Sequence, residues 1–153
     1  MNDALDALSQ QLGLGLACAH ERLRLAFGHA CACRVEQFIE QEDVSHCLHG
    51  LGAYLDGTIG QAELAALAAQ ATRLANQHQG SRSLDGSGHA AVSATYAVAN
   101  ALAGKARQTA DYAAYAAVYG QGGYGAVADR QSFEPELAWQ LGCLARLATQ
   151  YPQ

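Results

Sequence analysis

The chain is 153 residues long, a length that suits one domain of ordinary size. Hydrophobic residues make up 50% and charged residues 15%, which excludes a disordered chain. A formal net charge of −5, with nine Lys and Arg in total, excludes the basic face that nucleic-acid binding needs. About a fifth of the residues are alanine, the strongest helix former and one that buries little area. The expected fold is all-α: a compact bundle of about six to seven alanine-rich helices at close approach, with Leu and Tyr supplying the bulk.

The first predicted helix spans residues 2–12, and Gly13 and Gly15 break it. The apolar run at 12–19 is too short to cross a membrane, so no membrane association is expected. A second helix carries Leu16, Leu23, Phe27, Ala30, Val35, Phe38 and Ile39, mainly at three- and four-residue steps. That spacing predicts one buried stripe ending near Gln41. A third helix starts at Asp43 as N-cap, carries Val44, Cys47, Leu48, Leu51 and Leu55, and stops at Asp56-Gly57, a pair suited to a left-handed C-terminal residue. Thr58-Ile59-Gly60-Gln61 reads as a capping box, with Gln61 reaching back to the Thr58 amide. It opens a fourth helix through Leu64, Leu67, Ala71 and Leu74 to His78.

Residues 79–88 are rich in Gly and Ser and read as a surface loop within a single domain spanning 1–153. A fifth helix is predicted from His89 to Gly104 and a sixth from Lys105 to Tyr119, unless Gly104 only kinks one long helix. The run Gly120-Gln121-Gly122-Gly123-Tyr124-Gly125 reads as a mobile loop or a helix stop. The last helix spans Phe133 to Thr149 with Pro135 in its first turn, where its missing N–H is tolerated. Its stripe is Leu137, Leu141, Leu144 and Leu147, with Trp139 close to that face.

Five cysteines stand at 18, 31, 33, 47 and 143. An odd count and an acidic start, Met1-Asn2-Asp3-Ala4-Leu5-Asp6, point to reduced thiols in the cytoplasm. Cys31 and Cys33 are two apart, so on a helix they point about 200° apart and share no ion. His46 and His49 are three apart and share a face, which makes His46, Cys47 and His49 the weak metal alternative; small thiols filling core gaps is the stronger reading. No Glu-x-x-His pair occurs for a di-iron site, and no G-x-S-x-G, P-loop or H-E-x-x-H motif. Neither a catalytic residue nor a cofactor is therefore expected.

The tyrosines are more informative. Tyr112, Tyr115 and Tyr119 fall at i, i+3 and i+7, on one helical face, and Tyr124 follows in the glycine run. They either pack against alanine-rich neighbours or form an exposed set of aromatic anchors for a protein partner. Asp111 and Asp129 would add acidic rim contacts. A mildly acidic chain either gains solubility from its charge or matches a basic protein. Glu40, Glu42 and Asp43 read as a solvated helix end.

Three stretches resemble the immunity-protein-five-like family of small alanine-rich helical proteins encoded beside bacterial polymorphic toxins. The first is Leu25-Ala26-Phe27 through Cys33-Arg34-Val35-Glu36-Gln37-Phe38. The second is Leu51-Gly52-Ala53-Tyr54-Leu55-Asp56-Gly57-Thr58-Ile59 followed by Ala62-Glu63-Leu64, with Tyr54 in an aromatic place of the pattern. The third is the small-residue helix His89 to Ala103 leading into Ala110-Asp111-Tyr112-Ala113-Ala114-Tyr115-Ala116. The similarity covers about residues 20–147. Asn100 and Thr109 stand near places where the family pattern has histidines.

The resemblance implies a cytoplasmic immunity protein, monomer or homodimer, that neutralises a cognate toxin encoded next door by occluding its active site. It implies no catalytic residue. The alternative is a small helical metal- or ligand-binding protein with a pocket built from Cys31, His46, Cys47 and His49.

Overall fold

The computed structural model describes residues 3–11, 21–78 and 87–151. Seven α-helices and two 3₁₀ turns account for nearly all of them, and no strand occurs among the described residues. The helices are α1 (Asp3–Gln11), α2 (Glu21–Arg34), α3 (Glu42–Leu55), α4 (Gln61–Gln77), α5 (Ser87–Leu102), α6 (Ala106–Ala128) and α7 (Glu134–Gln150). Among the described residues no helix is long and apolar enough to cross a membrane. The predicted break at Gly13 and Gly15, Leu16, Cys18 and most of the predicted loop 79–88 lie outside the described residues.

Helix α2 is the centre of the assembly. Leu23, Phe27 and Cys31 face one apolar cluster, built with Leu5 of α1, alanines of α5 and α6, and Cys143 and Leu144 of α7. Leu25 and Ala32 face a second, built with Val44, Cys47, Leu48 and Leu51 of α3, Ala71 and Ala75 of α4, and the other side of α5. A helix packed on two sides has no single stripe, so the predicted stripe is corrected to two buried faces. The helix also ends at Arg34 rather than near Gln41. Val35 leaves helical geometry, and Glu36–Phe38 form a 3₁₀ turn closed by Phe38 N–H donating to the Val35 carbonyl at 3.0 Å.

The alanines allow this central position. Ala90, Ala91, Ala94, Ala97, Ala99 and Ala101 of α5 are buried, as are Ala110, Ala113, Ala114, Ala116 and Ala117 of α6. A Cβ added at Gly28 would lie 3.2 Å from the Ala101 Cα, which measures how closely α2 approaches α5. Such spacing leaves no room for larger residues, and close-packed interiors penalise added methylenes.

Several predicted boundaries move. Helix α3 begins at Glu42 with Gln41 in the N-cap place, so Asp43 lies in the first turn, where its charge suits the helix dipole. The stop at Asp56-Gly57 is as expected, with Gly57 at φ +86°. No capping box forms after it: Gly60 occupies the N-cap place of α4, and the Thr58 amide and hydroxyl both donate to the Asp56 carboxylate instead. Helices α5 and α6 are separate, with a turn at Ala103-Gly104 between them. The glycine run 120–125 is no loop, but it does stop regular helix at one residue. It continues α6 to Ala128, with one break at Gly123 (φ +66°, ψ −154°). That conformation is essentially restricted to glycine, so the break falls where the sequence permits it.

Helix α7 buries Leu144 of the predicted stripe but turns further toward Glu136, Gln140 and Cys143 than predicted. Glu136, Gln140, Cys143 and Leu144 are its buried residues, while Leu137 and Leu147 are half-buried. The two polar residues are satisfied, as burial requires. Gln140 Nε2 donates to the Ala110 carbonyl of α6 at 2.8 Å. Glu136, 5% exposed, accepts from Arg34 Nε and Nη2, both at 2.9 Å, and the Arg34 guanidinium lies 4.4 Å from the Trp139 ring centroid.

Candidate functional site

Helix α6 carries the tyrosines along the outer side of its contact with α5. Its inward positions are alanines, so the rings have no core to enter and remain on the surface. Tyr112, Tyr115 and Tyr124 are 37%, 36% and 44% exposed, and among the described residues they are the large hydrophobics left exposed. Tyr119 is half-buried.

The rings form a connected array. Tyr115 and Tyr119 have centroids 6.3 Å apart, and Tyr119 meets Tyr124 edge to face at 5.9 Å. His89, in the first turn of α5, stacks on Tyr119 at 5.1 Å and meets Tyr124 edge-on at 5.3 Å. Phe133, in the 3₁₀ turn Arg130–Phe133, supports Tyr115 edge to face at 5.1 Å. Tyr112 turns away from this group and stacks on Tyr96 of α5 at 5.3 Å. The break at Gly123 brings Tyr124 back over Tyr119 and His89 instead of onward along the helix. Offset and edge-to-face geometries are those that aromatic quadrupoles favour. Ring-on-ring contacts thus hold the array in one arrangement.

Sequence spacing brought out the helical face of Tyr112, Tyr115 and Tyr119. It missed His89, Phe133 and Tyr96, which join from other elements and share no register with α6. The two aspartates have internal roles. Asp111 pairs with Arg107, which also binds Asp6 and so ties α1 to α6. Asp129 accepts from the Gln131 amide at 3.0 Å and caps the 3₁₀ turn that carries Phe133. Asp111 is thus paired within the fold, while Asp129 remains exposed and makes no ion pair with a described residue.

The Cys and His residues proposed for a ligand pocket are not brought together. Cys31 is buried in one apolar cluster and Cys47 in the other. His46 is exposed, and exposed His49 sits with Nε2 2.7 Å from Glu36 Oε2. Among the described residues no group of three or more His, Cys, Asp or Glu is placed to hold a metal ion. The closest sulfur–imidazole pair is one that spacing did not single out: Cys33 Sγ lies 3.5 Å from His29 Nε2, one helical turn apart on α2. Burial pushes the Cys33 thiol up to about 11 and lowers His29 below its ordinary value. Both are therefore neutral near pH 7, and the pair lacks the thiolate that nucleophilic chemistry uses. Burial also raises the thiols of Cys31, Cys47 and Cys143.

No family model, curated protein or solved structure matches this chain.

Proposed function

We propose that the chain is a protein inhibitor of the immunity type, which binds a cognate bacterial toxin and occludes its active site through the aromatic array on α6. The observation that carries this reading is the array itself. Tyr115, Tyr119, Tyr124 and His89 lie together, and among the described residues the only other exposed large hydrophobic is Tyr112, on the same helix. Preordered tyrosines are favoured anchors at protein interfaces because each buries a large area with two rotatable bonds. A net charge of −5 suits a basic partner, and exposed ring faces accept Arg or Lys side chains. The resemblance to the immunity-protein-five-like family supports an immunity role, and the array offers a surface suited to such a contact.

Co-expression with the toxin encoded beside this chain tests the proposal. Cells should survive, and the two proteins should copurify at one to one. Death of cells that accumulate folded inhibitor would end the reading. The metal- or ligand-binding alternative draws no support from the separated positions of Cys31, His46, Cys47 and His49.

A further inference from the structure

A second candidate site lies beyond the aromatic array, where the C-terminal ends of α4 and α5 meet the start of α6. A cleft of about 150 Å³ opens there, lined by Thr72, Asn76, Tyr96, Asn100 and Lys105 over a floor of three alanines. It is small beside the roughly 300 Å³ and more of a drug-sized pocket. Its polar groups include donors from two asparagines and one lysine. The Asn76 Oδ1 accepts from the Tyr96 hydroxyl at 3.3 Å, and the Asn76 amide nitrogen has no hydrogen-bond partner among the described residues. Asn100 Nδ2 uses one N–H on the Tyr96 carbonyl at 2.8 Å and retains the other. Among the described residues Lys105 makes no ion pair and no Asp or Glu lines the cleft.

We infer that this cleft binds a carboxylate monoanion with a short aliphatic body. Lys105 supplies one positive charge, which balances one carboxylate and falls short of a phosphate dianion. The two asparagine amides fix the oxygens, and the methyls of Ala75, Ala99 and Ala103 receive the aliphatic part. The carboxylate is either a free small acid or a Glu or Asp side chain of a bound protein. The inference stands independently of the toxin reading, because the cleft is built without any residue of the α6 array except through the Tyr96–Tyr112 stack.

The test is an NMR titration of the full-length ¹⁵N-labelled chain at constant ionic strength. The probes are sodium propionate, its neutral isostere propionamide, and N-acetylglutamate α-amide, which carries a protein-like Glu side chain. At least one acid should produce saturable shifts of the Asn76 and Asn100 side-chain amides, with no matching response to propionamide. Lys105→Met should weaken that binding by about tenfold, since it removes a charge-assisted hydrogen bond. Lys105 is exposed, so this variant should melt with the wild type, and Lys105→Gln serves as a second variant. Tighter binding of propionate assigns the cleft to a free acid; tighter binding of the glutamate amide assigns it to a protein side chain. Equal response to propionamide, no response to either acid, or unchanged affinity in both Lys105 variants overturns the inference.

Discussion

Replacing Arg34 with methionine strands the Glu136 carboxylate inside the α2–α7 contact. Glu136 is 5% exposed and takes both of its described hydrogen bonds from Arg34. Breaking a buried pair by removing one partner costs about 3–5 kcal/mol. The Arg34 side chain is itself 36% exposed, which places the loss at the lower end, about 3 kcal/mol. For a chain of this size that lowers the melting temperature by about 6–12 °C. Glu136→Met leaves an arginine that can turn to water, so its loss is smaller, about 1–2 kcal/mol. The double variant replaces an ion pair with two apolar side chains and should lie within about 1 kcal/mol of wild type. Urea denaturation followed by circular dichroism yields the four free energies and hence the coupling. The expected coupling is about 3–5 kcal/mol. Single losses that add in the double variant, leaving a coupling under about 0.5 kcal/mol, would refute the description of α2 and α7 as locked by this pair.

The aromatic array gives further predictions. Tyr115→Ala together with Tyr119→Ala should weaken toxin binding at least tenfold in calorimetric titration, with a loss of unfolding free energy of about 1–2 kcal/mol because the rings lie outside the core. A loss of about 4 kcal/mol or more would place the rings in the core instead. Gly123→Ala forces a side chain into backbone geometry that only glycine adopts readily, at a cost of about 1–3 kcal/mol. It should also move the His89 ring resonances by displacing Tyr124, and unchanged resonances would contradict the role given to the break. Stability should fall at both ends of the pH range. The buried thiols have folded values above the ordinary 9, with Cys33 at about 11, so the folded state holds more protons and loses stability as pH rises from about 9 to about 11. His29 is lowered, so its contribution is present above its ordinary value of 6.5 and is lost as pH falls below it. Equilibrium unfolding across pH checks both signs.

The all-α class was legible because Leu and Ala recur at helical spacing and few prolines or strand formers interrupt them. The exact faces were less so. Val35, Phe38 and Ile39 continue the apolar spacing of α2, yet a 3₁₀ turn buries Val35 and half-buries Phe38 and Ile39 without continuing the helix. On α7 a leucine count rotates the stripe away from Glu136 and Gln140. Their burial depends on Arg34 and on the Ala110 carbonyl, both distant in sequence. Local spacing reveals which residues share a helix face but not what lies across from that face. For the same reason the Tyr112–Tyr115–Tyr119 register could be read, while the support from His89 and Phe133, and the diversion of Tyr112 to Tyr96, could not.

Survival of cells that co-express the toxin proposed as its partner tests the central claim most directly. Wild-type protein should protect, and a Tyr115→Ala, Tyr119→Ala, Tyr124→Ala triple variant, confirmed as folded by its circular dichroism, should not. Cells killed despite abundant wild-type protein, or protected equally by the triple variant, would contradict the assignment of the α6 array as the toxin-binding surface.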